Sequence, residues 1–368
     1  MLGHKRIPSR EGGVELVVEA LCVRMAELGH DVTCYNRAGH HVSGASFDVQ
    51  KRKTYRNIRL KTVPTWDFKG LAAVSSSFFA ALCAAFSGAD IVHIHAEGPA
   101  FMCWLPKLFG KHVVVTVHGL DWQRAKWKNG FGAKYIRLGE KMAVRFANEI
   151  IVLSRNVQAY FHKQYKRDTV FIPNGVNRPQ PVEADEICAG FGLEAGEYIL
   201  FLGRLVPEKG IHYLVEAFQR VKTDKKLVIA GGVSDSSEYA QQLRAAAASD
   251  KRIVFTGFVQ GRLLEELYSN AYVYVLPSDV EGMPLSLLEA MSYGNCCLVS
   301  DIPECADVVG DHALTFRQGN VDALQAALQR LCDEPALVAH HRGTAANFVC
   351  EKYNWDEITE RTLELYTK

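Results

Sequence analysis

The feature that most restricts this chain is an alternation that occurs twice. Short, continuously apolar, β-rich runs are each followed by a helical pattern. In the first half the runs are 31–36 (DVTCYN), 58–63 (IRLKTV), 90–94 (DIVHI), 112–117 (HVVVTV) and 149–153 (EIIVL), with helical patterns such as 14–28 and 71–86 between them. In the second half they are 198–203 (YILFLG), 226–231 (KLVIAG), 253–257 (IVFTG), 272–276 (YVYVL), 295–299 (NCCLV) and 313–316 (ALTF). Helical patterns intervene at 212–221, 238–248, 263–269, 285–293 and 321–332. Strands apolar on both faces belong to parallel sheets covered by helices on both sides. Two such series predict an α/β protein of two doubly wound, Rossmann-like domains.

The boundary is legible as a change of composition. Residues 173–186 (PNGVNRPQPVEADE) hold three prolines, a glycine and a run of acids, with no apolar periodicity. The hinge is expected at 174–181, between domains at 1–175 and 176–350. The tail 351–368 reads as a helix with a capping pattern, Asn354 followed by Glu357, and is expected to cross back to the first domain. The first domain opens oddly. Only Met1–Leu2 precede the polar loop GHKRIPSREGG, so its first strand is short or lies before residue 1.

Composition excludes several classes. Hydrophobic residues make up 48% and charged residues 23%, so disorder is not the main state. The 42 Lys+Arg against 41 Asp+Glu give +1, with no global field toward nucleic acid. Ten cysteines include no C-x-x-C pair, and several, such as Cys34, Cys296 and Cys297, lie in apolar runs. They are expected to be buried reduced thiols of a cytoplasmic protein. The apolar stretch 78–86 is far shorter than the roughly 20 residues of a membrane span, and no signal-peptide core precedes it. His40, His41, His93 and His95 have no zinc-site spacing, so no metal is expected.

Four segments carry chemistry. In 281–289 (EGMPLSLLE), Pro284 marks the start of a helix. Glu281 then lies in the loop after a strand, and Glu289 in the second helical turn. The N–H groups of Gly282, Met283, Pro284's neighbours and Leu285 would face the sheet's carboxyl edge, where a helix N-terminus binds anions. Two acids beside an anion site suit sugar hydroxyls rather than the anion. In 203–210 (GRLVPEKG), Arg204 and Lys209 bracket a turn after a strand and could neutralise a diphosphate leaving group. This is not a P-loop, and no G-x-G-x-x-G occurs. In 9–15 (SREGGVE), Gly12 and Gly13 sit where a loop meets a helix and allow a ligand close to the backbone. In 115–127 (VTVHGLDWQRAKW), His118 falls at a strand's carboxyl edge. Asp121, Trp122 and Arg124 follow, aromatic and charged groups suited to a sugar or phosphate-bearing acceptor. A satisfied core histidine is the other reading of His118.

Together, EGGVE (11–15), IPNGV (172–176), GRLVPEKG, GF (257–258) and EGMPLSLLE resemble the retaining nucleotide-sugar glycosyltransferases of family 4. The resemblance covers nearly the whole chain and implies the GT-B fold, two Rossmann-like domains facing each other across a cleft. It implies that Arg204 and Lys209 bind the donor diphosphate and Glu289 the ribose. Glu281 and the backbone of 282–285 would face the donor sugar, with His118 near the reacting carbon and Gly12–Gly13 on the donor side. It also implies retention through a front-side, oxocarbenium-like displacement with no metal or other cofactor, and domain closure over the hinge. HGLDWQRAKW further resembles a segment of bacterial rhamnosyltransferases of surface-polysaccharide assembly, whereas EGMPLSLLE is closer to the general family pattern.

The expected partners are a nucleotide sugar and a carbohydrate or lipid-linked sugar acceptor, not nucleic acid. The basic segment 51–61 (KRKTYRNIRLK) and the aromatic, apolar stretch 66–86 add contact with an anionic inner leaflet. Other activities on this fold are a glycoside phosphorylase, a sugar-nucleotide epimerase and a non-catalytic nucleotide-sugar-binding protein. The last is disfavoured because Arg204, Lys209, Glu281 and Glu289 are all present.

Overall fold

The computed structural model describes residues 1–10, 12–39, 52–66, 68, 71–124, 130–232 and 237–367. Lys51, residues 67 and 69–70, His40, His41, Lys126 and Trp127, all named above, lie outside them. The chain divides into two compact units: residues 1–174 with 355–368, and residues 175–354.

In the first unit the strands are β1 (Thr33–Arg37), β2 (Thr54–Tyr55), β3 (Ile58–Val63), β4 (Ile91–His95), β5 (His112–Val117), β6 (Glu149–Val152) and β7 (Val170–Phe171). They form a sheet of order β1-β3-β2 and one of order β4-β5-β6-β7, parallel except for the β2–β3 pair. Met1–Leu2 lies between the two sheets. Leu2 N–H donates to His93 O at 3.1 Å and Leu2 O accepts from His95 N–H at 2.9 Å, while Met1 O accepts from Tyr35 N–H at 3.0 Å. Leu2 makes a single parallel bridge to Ile94. The apolar runs fill the core: Val113, Val114 and Val115 of β5 and Ile150 and Val152 of β6 are fully buried.

The second unit is one six-stranded parallel sheet of β8 (Tyr198–Leu202), β9 (Lys226–Ala230), β10 (Ile253–Gly257), β11 (Val273–Leu276), β12 (Cys296–Ser300) and β13 (Leu314–Phe316). Its order is β10-β9-β8-β11-β12-β13. The chain winds outward one way from β8 and the other way from β11, so the topological switch lies between these two strands. In open α/β sheets ligands bind outside the carboxyl ends of the strands at that point.

The tail divides at 354/355. Residues 351–352 finish the helix Pro335–Lys352. Val176 then pairs with Asn354, and its N–H donates to Tyr353 O at 2.8 Å. The helix Trp355–Glu364 belongs to the first unit, where Asp356 meets Arg24 at 2.7 Å and Arg361 donates to Phe171 O at 2.7 Å. All ten cysteines are free, and six are buried. Cys83 and Cys188 are exposed, against expectation: the helix Leu71–Ala85 turns Cys83 outward, and Cys188 sits on the short surface helix Glu186–Phe191. Among the described residues no helix is long and apolar enough to cross a membrane.

Candidate active site

The two strands at the switch point of the second unit each lead into one of the chemical motifs. β8 ends at Leu202 and runs into Gly203–Gly210; β11 ends at Leu276 and runs into the loop before the helix Leu285–Ser292. The loops are tied together. Asp279 N–H donates to Glu208 O at 2.8 Å. Gly210 has φ +64°, and a Cβ there would lie 2.0 Å from Pro277 O. Only glycine allows that turn at that approach.

Within this knot Lys209 Nζ meets Glu281 Oε1 at 2.5 Å, with 13% and 8% of the two side chains exposed. Ser278 Oγ donates to the same oxygen at 2.6 Å, and Ser300 Oγ donates to Ser278 O at 2.6 Å, fixing the serine in turn. Glu281 is therefore aimed, not loosely solvated. Arg204 is exposed at the start of the same turn. The helix begins at Leu285, as the 285–293 pattern predicts, with Pro284 as its cap residue in an extended conformation, ψ 106°. No side chain caps it. The first N–H groups of a helix have no acceptor within the helix, and its dipole favours an anion there. Glu289, in the second turn, accepts from Tyr268 OH at 3.0 Å. Tyr274 OH donates to Ser286 Oγ at 2.9 Å. Burial, then the charge of Glu289, pushes the Tyr268 hydroxyl well above its usual range, so it remains a donor. Gly282, Met283 and Pro284 are buried; Leu285 is half-buried.

The first unit holds the other candidates. His118 follows β5 and is 9% exposed. Its Nε2 lies 3.1 Å from Nδ1 of His95, which stacks on His93 with centroids 4.3 Å apart. Burial, then the charge of Arg124, pulls His118 down to about 3, so its ring is neutral at ordinary pH. It is a hydrogen-bonded core histidine at the end of β5. Asp121 and Arg124 form an ion pair at 3.1 Å around the single turn Asp121–Gln123. Trp122 gives its indole N–H to Glu140 at 3.0 Å and lies under the Arg137 guanidinium at 4.3 Å. Gly12 caps, and Gly13 starts, the helix Gly13–Glu27; Glu15 in its first turn accepts Lys5 N–H at 2.8 Å. Among the described residues no group of three or more His, Cys, Asp or Glu side chains could hold a metal ion.

Two family models match, and between them they span most of both units: "Glycosyltransferase Family 4" over residues 11–179 and "Glycosyl transferases group 1" over 196–334. The chain belongs to the family 4 glycosyltransferases. It is 29% identical over 314 residues to the α-maltose-1-phosphate synthase of Mycobacterium tuberculosis, covering 77% of this chain and 80% of that protein. It is 30% identical over 192 residues to the O-antigen chain mannosyltransferase B of Escherichia coli, covering half of each. The crystal structure of Anabaena HepE in complex with UDP and glucose has the same fold, with a TM-score of 0.81 at 16% identity over 97% of this chain and 96% of that one. The fold is GT-B, and the activity is glycosyl transfer.

For a glycosyltransferase of this family, the motif residues visible in the sequence are half of the second-unit arrangement. Ser278, Ser300 and Tyr268 orient them, and neither Ser300 nor Tyr268 carries a sequence signal of its own. Ser278 does lie three residues before Glu281, a spacing that could have marked it. In the first unit the sequence reading missed Glu97 and Glu140.

Proposed function

We propose that this glycosyltransferase moves a sugar from a nucleoside-diphosphate sugar to a hydroxyl acceptor, with retention at the anomeric carbon and without a metal ion. The observation that carries the reading is the Lys209–Glu281 pair, set beside the uncapped start of the helix Leu285–Ser292 at the switch point. A cation and a helix N-terminus at one place suit the diphosphate; Glu281 and Glu289, each held by a hydroxyl, suit the hydroxyls of sugar and ribose. Lys209, Arg204 and the helix terminus stabilise the charge that grows on the leaving diphosphate. Ser278, the hydroxyl beside Glu281, donates its proton to a hydrogen bond with that carboxylate, and the reading adopted is a front-side displacement in which the leaving phosphate takes the acceptor proton. His118, neutral and fixed by His95, is proposed to contact the donor sugar, Gly12–Gly13 to let the donor approach, and Asp121, Trp122 and Arg124 to contact the acceptor. The HepE complex with UDP and glucose supports the donor class, and the mannosyltransferase relative supports a surface-polysaccharide or glycolipid acceptor.

We also propose peripheral contact with an anionic membrane. Arg52, Lys53, Arg56, Arg59 and Lys61 are exposed, as are Trp66 at 57% and Phe68 at 70%. Each basic residue near an anionic surface contributes about 1 kcal/mol. Equal sedimentation with neutral and anionic liposomes would refute this.

The test of the main reading is a stability panel of UDP-, GDP-, dTDP- and ADP-sugars with EDTA present. The correct donor at 100-fold over its dissociation constant should add about 2.7 kcal/mol. NMR of the product should then show the donor's own anomeric configuration. An inverted product, or no stabilisation by any nucleotide sugar, overturns the reading.

A further inference from the structure

The turn Asp121–Gln123 rests on two carboxyl groups that no function has yet absorbed. Glu97 opens the helix Glu97–Ala100 just after β4, and Glu140 comes from the helix Phe131–Phe146; both are fully buried. A Cβ at Gly139 would lie 1.9 Å from Glu97 O, so glycine there is what lets the two helices meet. Glu97 Oε2 accepts Asp121 N–H at 2.8 Å. Glu140 Oε1 accepts the Trp122 indole N–H at 3.0 Å, and Oε2 accepts from Tyr165 OH at 2.6 Å and Tyr160 OH at 3.1 Å. Neither carboxyl has a cation partner among the described residues. Arg124 is paired with Asp121, and Arg137 lies over the Trp122 ring at 4.3 Å.

Glu97 Oε1 is buried with no hydrogen-bond donor. Two ionised carboxylates cannot share a dry site without a cation; one of them keeps a proton. Glu140 faces three donors, which suit a carboxylate. The partnerless oxygen of Glu97 is the place for the proton.

We propose that Glu97 and Glu140 form a one-proton carboxyl pair, Glu97 as the acid and Glu140 as the carboxylate, that positions the Asp121–Trp122 turn. Burial first, then the charges of Asp121 and Glu140, holds Glu97 well above the usual carboxylate range. One helix residue thus fixes the indole, the other fixes the backbone, and the proton on Glu97 removes the repulsion. The two glutamates are positioning residues; their bearing on transfer rests on the proposal that this turn contacts the acceptor.

The proton can be read without any substrate. Infrared spectra of the full-length protein at neutral pH should contain a protonated-carboxyl stretch that disappears in Glu97→Gln. Because glutamine mimics the neutral acid, that variant should keep the Trp122 indole N–H resonance, assigned through Trp122→Phe, where the wild type has it. Glu140→Gln should shift that resonance and lower transfer by about tenfold or more, the scale of one charge-assisted hydrogen bond, with UDP affinity unchanged. A carboxyl stretch untouched by Glu97→Gln, or equal damage from both glutamine variants, overturns the pair. Wild-type transfer by Glu140→Gln, with Trp122→Ala impaired, overturns its positioning role. If Trp122→Ala also transfers normally, the acceptor reading of the turn fails and the one-proton pair stands.

Discussion

The two units share a doubly wound plan but treat buried charge in opposite ways. In the second unit the buried acid Glu266 is matched by Arg262 at 2.9 Å and by the N–H groups of Asp185 and Ile187. Glu281, at the switch point, is matched by Lys209. In the first unit Glu19 is also matched by a cation, Arg10 at 2.9 Å, but Glu97 and Glu140 are buried against neutral donors, and His4, His93, His95 and His118 are buried uncharged. The second unit presents charge at a sheet edge where a ligand can use it. The first stores polar groups whose value lies in holding one another in place. A pair matched by opposite charge is insensitive to pH near neutrality, whereas a cluster of neutral histidines is not.

That contrast is most open to attack by acid. Burial pulls His4, His93 and His118 down to about 3, and His95 well below its usual value. Each binds a proton below its unfolded value of about 6.5 only when the chain unfolds, so stability falls as pH drops through the window from about 6.5 to 3. Glu97 works the other way, because its raised folded value favours the native state at low pH, but it is one group against four. The first unit should lose about 3 kcal/mol between pH 7.5 and 5.5, more than the second unit, where His212 and His341 are also held below their usual value but are only partly buried. Calorimetric scans across this range, resolving the two transitions, check it; parallel losses in both units would erase the contrast.

The next effect belongs to the second unit. Lys209→Ala leaves Glu281 without its cation in a nearly closed site, and turnover should fall by a hundredfold or more, about 3 kcal/mol. Arg204→Ala, at an exposed residue, should cost nearer tenfold. Steady-state kinetics with the donor found in the stability panel decides it, and equal small losses would remove both from the leaving-group site. Gly210→Ala should lower the melting free energy of the second unit by about 2 kcal/mol or more, since both the positive φ and the contact with Pro277 O oppose a side chain. An unchanged melting profile would show that the loops at the switch point are not tied as described. The smallest effect is expected from Tyr268→Phe. It removes one hydroxyl from Glu289 and should weaken nucleoside diphosphate binding about threefold to tenfold in a titration, with the fold intact.

How far the sequence reveals this depends on where polar residues sit. All the long strands of the three sheets were visible as apolar runs, and both second-unit motifs were visible because Gly, Pro and charge punctuate loops. The helix Phe131–Phe146 was not. Its buried stripe is Ile136, Gly139, Glu140 and Ala143, in which a glycine and an acid stand where periodicity looks for apolar residues. The helix Pro335–Lys352 hides likewise, with His341 among Val338, Ala345 and Val349. The helix Arg155–Tyr165 buries only Val157 and Phe161. The strands β2 and β7 have two residues each, too few for any pattern. The strand order that sets Lys209 beside Glu281 is a long-range fact: 72 residues separate them. The sequence showed both residues, and the family resemblance implied the diphosphate for Lys209 and the sugar for Glu281, but neither showed that they touch.

The central claim is that the second unit divides the donor between its two glutamates. Ribose is bound alike in ground and transition states, so Glu289→Gln should weaken binding of the free nucleoside diphosphate by about tenfold, 1.4 kcal/mol. The sugar ring changes shape and charge during transfer, so Glu281→Gln should lower kcat while leaving that affinity near wild type. Calorimetric titration of both variants with the free nucleoside diphosphate is the most direct measurement. A tenfold loss confined to Glu289→Gln is the result predicted here; equal losses in both variants would contradict the assignment of the sugar to Glu281.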